Sequence, residues 1–289
     1  MTTHSVVPGG RPNGTRPQVR LLAVGDNVVD QYPQRGVMYP GGNAVNVAVH
    51  AQRRGAHAAY LGAVGTDRAG EVVLDSLRAE GVDTSLTRVL EGPNARAVVE
   101  VVDGNRVFIE GYAGISVFRL EEDDLAAACG YDVVHTGECS NIEPQLAELA
   151  RASKRLCFDF SERPWDYVEQ YAPHASVAIC SSPSGDPARA ERTAERLRGL
   201  GPETAVVTLG SAGALVLQEE LTYRPAPVGQ VVDTLGAGDA FIATFLVGLA
   251  AGQEMGALLS AATAYATASC ASFGAFGYGT SMIPSTTSP

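Results

Sequence analysis

Two glycines and two carboxylates stand directly before an apolar run in VVDTLGAGDAFIATFLVGLAAG, residues 231 to 252. The run reads as a helix that begins near Gly238. A helix start leaves backbone N–H groups without intrahelical partners and carries the positive end of the helix dipole. Glycine there lets the main chain approach an anion that a side chain would hold off. Gly236, Ala237 and Gly238 therefore offer a cradle for a phosphate, with Asp239 at its mouth. The dipole keeps such a carboxylate ionised, which suits it to take a proton from an attacking hydroxyl. An aspartate at a helix start is also an ordinary cap, so position alone leaves cap and base both open.

Two further clusters carry short polar side chains. GDNVVDQYP (25–33) sets Asp26, Asn27 and Asp30 after an apolar run, and GGNAVN (41–46) adds Gly41, Gly42, Asn43 and Asn46. Asn43 and Asn46, three apart, share one face at the start of a helix. Amides and carboxylates converging at strand ends suit a polyhydroxylated ligand, because each hydroxyl wants a donor and an acceptor. Taken singly, each is also a common loop or cap residue. FDFSERPWD (158–166) ends a strand with Asp159, Ser161, Glu162 and Arg163. Arg163 reads either as a bidentate phosphate clamp or as a solvated loop arginine. His135, in VVHTG, reads as core or wall rather than catalyst.

Other nucleotide and nucleophile signatures are missing. The one lysine, Lys154, has no Walker A glycines before it and is no strand lysine of a protein kinase. A dinucleotide fingerprint needs G-x-G-x-x-G after the first strand, where the chain has VGDNVVD. No G-x-S-x-G elbow occurs. The five cysteines are odd in number and widely spaced, which argues against a zinc site or a disulfide framework and for a reducing cytoplasm. A net charge of −11 argues against nucleic acid or an anionic membrane as partner. The uncharged stretch Met255 to Ser281 is rich in Ala, Ser, Thr and Gly, which suits a buried helix better than a membrane span.

The elements that must position these residues alternate. Strands are expected at 19–25, 56–65, 131–137, 155–161, 175–181 and 204–210, and helices at 41–55, 66–82, 143–154, 186–201, 238–252 and 254–272. ARAVVEVVDGNRVFIEGYAG (95–114) alternates about Asp-Gly-Asn and reads as a hairpin, to which residues 28–40 add a strand. A second hairpin occupies GALVLQEELTYRPA. Repeated βαβ units imply an α/β fold with an open, mostly parallel sheet and helices on both faces. Ligands in such folds sit at the carboxyl ends of the strands, where every Gly-rich segment falls. Residues 1–18 and 279–289 read as flexible tails around one domain, 19–278.

GGNAVNVA near one end and DTLGAGDAF near the other resemble the paired signatures of the ribokinase-like (PfkB) carbohydrate kinases. GTDRAGE, AEGVD and VVTLGSAGA resemble family segments in the same order, so the likeness spans residues 19–278. GDNVVDQYP, YPGGNAVNVAVHAQRRG, DGNRVF, YDVVHTG and FDFSERPWD look most like the branch that phosphorylates the 6-hydroxyl of fructoselysine.

The resemblance implies a ribokinase-like sheet with a small β lid over a sugar site, and transfer of phosphate from ATP with Mg²⁺. It makes Asp239 the base and the amides of Gly236, Ala237 and Gly238 the anion hole. Asp30, Gly42, Asn43 and Asn46 match sugar positions, beside Asp26, Asn27 and Gly41. Thr208, Gly210 and Gly213 match part of the ATP site, and Ala271 and Gly274 flank the adenine; Arg163 stands apart as the candidate phosphate clamp read from its own segment. A monovalent cation near the anion hole follows by family analogy. Many members carry Asn-x-x-Glu after the strand that here reads VAIC, where this chain has SSPSGD. That departure leaves Mg²⁺ to Asp186, to Asp233, or to phosphates and water alone. An uncovered lid face could pair with a second copy in a homodimer. Ribose, 2-keto-3-deoxygluconate or a nucleoside stay open as acceptors. A non-catalytic sensor would have lost the base or a cradle glycine, and both are present. An NAD-dependent oxidoreductase is the reading outside this family.

Overall fold

The computed structural model describes residues 18–102, 105–182 and 184–282. Its first strands are β1 (Arg20–Val24), β2 (Val28–Tyr32), β3 (Val37–Gly41), β4 (His57–Leu61), β5 (Ala63–Gly65), β6 (Arg88–Leu90), β7 (Arg96–Val102) and β8 (Asn105–Tyr112). Then come β9 (Val133–Gly137), β10 (Leu156–Asp159), β11 (Val177–Ser181), β12 (Thr204–Thr208), β13 (Ala214–Leu217), β14 (Leu221–Arg224) and β15 (Thr280–Ser281). The α-helices are α1 (Asn43–Arg53), α2 (Arg68–Ala79), α3 (Glu122–Ala128), α4 (Leu146–Ala152), α5 (Trp165–Tyr171), α6 (Pro187–Gly199), α7 (Ala237–Ala250) and α8 (Met255–Ser269).

Eight strands form the large sheet in the order β14-β13-β12-β11-β10-β9-β1-β4. The pairs from β4 to β12 are parallel, and β13 and β14 add an antiparallel edge. Parallel strands covered on both faces need side chains that are apolar on both. Leu21 to Val24 and all of β9 are accordingly buried. Two apolar cores lie on opposite faces: α1, α2, α7 and α8 cover one, α3 to α6 the other. α7 is buried through Ala240 to Leu246 because α1 and α8 flank it, which explains an apolar run without an exposed stripe.

The lid is a five-stranded sheet ordered β15-β3-β2-β7-β8. Residues 28–40 supply two of its strands rather than the one expected, turning at Gly36. The expected hairpin is β7 and β8; its Asp103 and Gly104 lie outside the described residues. Thr280 and Ser281, expected to belong to a tail from residue 279, pair antiparallel with Met38 and Val37 of β3. Residues 1–17, 283–289 and Pro183 of the SSPSGD segment lie outside the description. The strand expected at 56–65 breaks at Gly62, where an added Cβ would stand 2.6 Å from the Gly25 carbonyl, and β5 leaves to pair with β6. Helices α3 and α5 have no counterpart in the sequence reading. At seven residues each they are too short for a periodic signal, although Glu121 and Asp124 form a capping box ahead of α3.

The carboxyl ends of β1 and β9 to β12 lie side by side. They deliver Asp26, Gly137, Asp159, Ser181 and Thr208 to one edge of the sheet, where α1 and α7 also begin.

Candidate active site

Asp239 lies in the first turn of α7, and two asparagines from the first turn of α1 hold it. Asn43 Nδ2 donates to Asp239 Oδ1 at 2.8 Å, and Asn46 Nδ2 donates to Oδ2 at 2.6 Å. The i, i+3 spacing thus aims both amides at one carboxylate. The second hydrogen of Asn43 Nδ2 goes to Asp159 Oδ2 at 3.0 Å, so one amide bridges two acidic groups. Asn46 is 4% exposed and its Oδ1 has no partner among the described residues. That acceptor lies 3.7 Å, and Asp30 Oδ2 2.9 Å, from where a Cβ on Gly41 would stand. A side chain at 41 would therefore crowd Asn46 Oδ1 and Asp30 Oδ2, beside the amide that holds Asp239.

Burial raises the Asp239 carboxyl from 3.8 to about 7. The Asn46 and Asn43 bonds pull against that rise, while the charges of Asp159 and Asp26 add to it. Asp159 rises to about 6, again chiefly by burial, with Glu138 and Asp26 as like charges. A base poised near neutrality suits proton transfer from an alcohol better than an ordinary carboxylate does.

The anion cradle differs in one amide from expectation. Gly236 takes φ 72°, ψ 4°, a left-handed turn into α7. The amides of Gly236, Gly238 and Asp239 have no acceptor among the described residues, whereas Ala237 N donates to the Thr234 carbonyl at 3.2 Å. The free donors are therefore 236, 238 and 239, and an added Cβ on Gly238 would meet nothing within 4 Å. Asp239 does not act as a side-chain cap of α7, which has none.

Several expected site residues do other work. Asp26 anchors the start of α1: Oδ2 accepts from Asn43 N at 2.8 Å, and Oδ1 from Ala44 N at 3.3 Å and Ser140 Oγ at 3.0 Å. It supplies the cap that Gly42, without a side chain, cannot. Asn27 is 1% exposed; its amide donates to Tyr60 Oη and the Ala63 carbonyl, and its Oδ1 has no partner among the described residues. Arg163 pairs with Glu138 at 2.6 Å and lies over the Tyr167 ring, so its charge is already matched. It borders a cavity of about 350 Å³ with Ser161, Trp165, Ser181 and Ser182, on the α5–α6 side.

Asp233 is 5% exposed, and its oxygens accept from Leu235 N at 2.8 Å and Gly274 N at 3.0 Å. Asp186 caps α6 through Ala188 N. Both carboxylates thus hold backbone amides at the start of a helix or turn. Among the described residues no group of three or more His, Cys, Asp or Glu side chains could hold a metal ion. Thr208 ends β12, its hydroxyl 3.1 Å from Ser181 Oγ. Gly210 opens the turn that follows, while Gly213 packs on the Arg224 carbonyl. Ala271 is exposed after α8; Gly274 is buried against Tyr39.

The pfkB family carbohydrate kinase model matches residues 18–277. The chain belongs to that family. Among its relatives, fructosamine kinase FrlD of Bacillus subtilis is 36% identical over 90% of this chain and 94% of that protein. Fructoselysine 6-kinase of Escherichia coli is 38% identical over 85% of this chain and 95% of that one. Arabidopsis thaliana ribokinase, solved with ribose and ATP, superposes with a TM-score of 0.79 at 21% identity, over 90% of this chain and 95% of that one. Aminoimidazole riboside kinase of Salmonella enterica, solved with its riboside and an ATP analogue, gives 0.70 at 23% over 91% and 96%. These solved structures establish the ribokinase-like fold. Among the described residues no helix is long and apolar enough to cross a membrane.

Three residues of this carbohydrate kinase's site escaped the sequence reading as site groups. Asp159 was one polar residue among four, and only β10's register brings it to Asn43. His135 donates to the site from a strand that reads as core. His50 follows Asn43 and Asn46 on the same face of α1, and its Nε2 meets the Ala275 carbonyl at 3.1 Å. Ala275 in turn lies against Gly236, so α1 braces both the base and the wall of the cradle. A polar residue repeating at i, i+3, i+7 is the signal that could have found His50.

Proposed function

We propose that this kinase transfers the γ-phosphoryl group of ATP to the 6-hydroxyl of fructoselysine or a related fructosamine. The observation that carries the reading is Asp239, held by Asn43 and Asn46 beside the unpartnered amides that open α7. The two relatives named for fructosamine and fructoselysine support the acceptor class.

In this reading the 6-hydroxyl gives its proton to Asp239. Its oxygen bonds to the γ-phosphorus as the bond to the β–γ bridging oxygen breaks, and ADP leaves. Asn46 Oδ1 and Asp30 orient the sugar's hydroxyls, while the amides of Gly236, Gly238 and Asp239 stabilise charge on the transferring group. Thr208, Gly210 and Ala271 border the nucleotide. Mg²⁺ bound together with ATP would supply charge neutralisation at the phosphates, and among the described residues no group of three or more His, Cys, Asp or Glu side chains could cage it. A monovalent cation near the cradle rests on the family analogy alone. We place the enzyme in the cytoplasm as a homodimer, with Ile109 and Tyr112 exposed on β8 as the supporting lid edge.

The test is ADP release with a panel of fructoselysine, fructose, ribose, 2-keto-3-deoxygluconate and adenosine. The reading expects the highest kcat/KM on fructoselysine and a 6-phosphate product. An inert fructoselysine beside a turned-over ribose or adenosine overturns the acceptor assignment.

A further inference from the structure

We propose that His135 is a positioning residue for phosphoryl transfer: its Nε2–H locks the Asn43 side chain so that both amide hydrogens face Asp239 and Asp159. The inference rests on the reading of Asp239 as the base.

Asn43 Nδ2 has two hydrogens, and both are used, at 2.8 Å and 3.0 Å, on carboxylates. Its Oδ1 must then accept, and the group that meets it is His135 Nε2 at 2.8 Å. The ring proton therefore sits on Nε2, a tautomer set by the network. The other ring nitrogen agrees: Nδ1 is buried with no partner among the described residues, so it has nothing to donate to.

Gly137, two residues along β9, is part of the same fit. A Cβ there would stand 2.7 Å from Asn43 Oδ1, so glycine lets the amide reach the histidine. Burial lowers the imidazole from 6.5 to about 3, so the ring stays neutral near pH 7. Were Asn43 to flip, its oxygen would face two carboxylates and its NH2 would face an N–H. The two carboxylates oppose that arrangement, and so does the histidine as its Nε2–H tautomer; the other tautomer would bury an Nδ1–H with no acceptor among the described residues. His135 thus acts on the base through Asn43, at one remove from any substrate atom.

The charged groups facing Asp239 are Asp159 at the end of β10 and Asp26 after β1; Asn43 and Asn46 of α1 are its donors. Asp159 also faces Glu138. Losing the Asn43 donor leaves those like charges less opposed, so the carboxyl of Asp239 moves further up.

The experiment compares His135→Leu, His135→Asn, His135→Gln, Asn43→Ala and the double variant His135→Leu/Asn43→Ala. Gln can present its amide N–H where Nε2 stood; Asn is too short to do so. Melting temperatures report folding, and the Asn and Gln variants keep a polar group should Leu fail to fold. The acid limb of kcat/KM on the best acceptor should move up by about one pH unit in the Leu and Asn variants. Their kcat at pH 7 should fall about tenfold while KM for ATP holds. The Gln variant should restore both. The double variant should lose no more than Asn43→Ala alone, because the effect passes through Asn43.

Carbon-13 NMR of aspartate-labelled ligand-free protein, with Asp239→Asn for assignment, reads the same upward shift without any acceptor. An unmoved Asp239 titration in folded His135→Leu and His135→Asn, or additive losses in the double variant, overturns the proposal. A wild-type protein that phosphorylates no acceptor overturns the functional reading, and the NMR result still decides the role of His135.

Discussion

At the residue scale, the chemistry rests on a carboxylate whose burial is opposed by two amides. Burial brings Asp239 to about 7 in the free protein, and kcat/KM reports groups of the free enzyme. Activity should therefore be flat above pH 7 and fall about tenfold per unit below it, with a limb that Asp239→Asn abolishes along with the activity. A limb near pH 4 would mean that the base titrates as an ordinary carboxylate. The same shift bears on stability. A carboxyl that is raised in the folded state binds its proton more tightly there than in the unfolded chain. Its contribution to stability is present at pH 4 and below, and is lost as pH rises through about 7. Asp239→Asn should accordingly melt a few degrees higher than the wild type at pH 8, with the difference closing toward pH 4. A lower melting temperature at pH 8 would show that the bonds from Asn43 and Asn46 outweigh the burial. Asp239 was legible as a candidate because glycines and a carboxylate precede an apolar run. His135 and Asp159 were not, because their roles come from strand register that brings residues 92 and 116 positions apart in sequence against Asn43.

At the element scale, two helix starts face each other: α1 brings the amides, and α7 brings the base and the free N–H groups. The turn into α7 leaves no room for change. A Cβ on Gly236 would lie 2.5 Å from the Ala275 Cβ, and φ 72° is strained for any side chain. Gly236→Ala should cost about 1–3 kcal/mol in denaturant unfolding and lower kcat at least tenfold. Gly238→Ala, open on its Cβ side, should fold like wild type and lose affinity for ATP instead. Equal stability losses for the two would contradict this division between a turn glycine and a ligand-facing one. Strand β9 was legible as a short run ending in glycine within the β/α alternation; the break after β4 at Gly62 was not, because close backbone approach carries no periodic signature.

At the scale of the whole molecule, the alternating β and α segments announced the parallel sheet, since buried parallel strands are short apolar runs separated by amphipathic helices. The way the lid is tied down was not announced. Two residues, Thr280 and Ser281, add the outer strand beside β3, in a stretch whose polar composition reads as tail. Tyr39 of β3 packs over Gly274 and Gly279, and Arg35 lies over the Phe273 ring at 3.8 Å. The segment that borders the cradle thus runs on into the lid. Ending the chain after Tyr278 should raise KM for the acceptor several-fold and change ATP binding much less. An unchanged acceptor KM would show that the lid closes without β15.

The central claim is that Asp239 takes the acceptor's proton in front of the α7 amides. Asp239→Asn keeps the size and the fold and removes the base, so the direct measurement is its kcat for ATP and fructoselysine beside its Kd for ATP. The account predicts a kcat lower by at least ~10² with the Kd for ATP within a few-fold of wild type. A kcat near that of the wild type would contradict it.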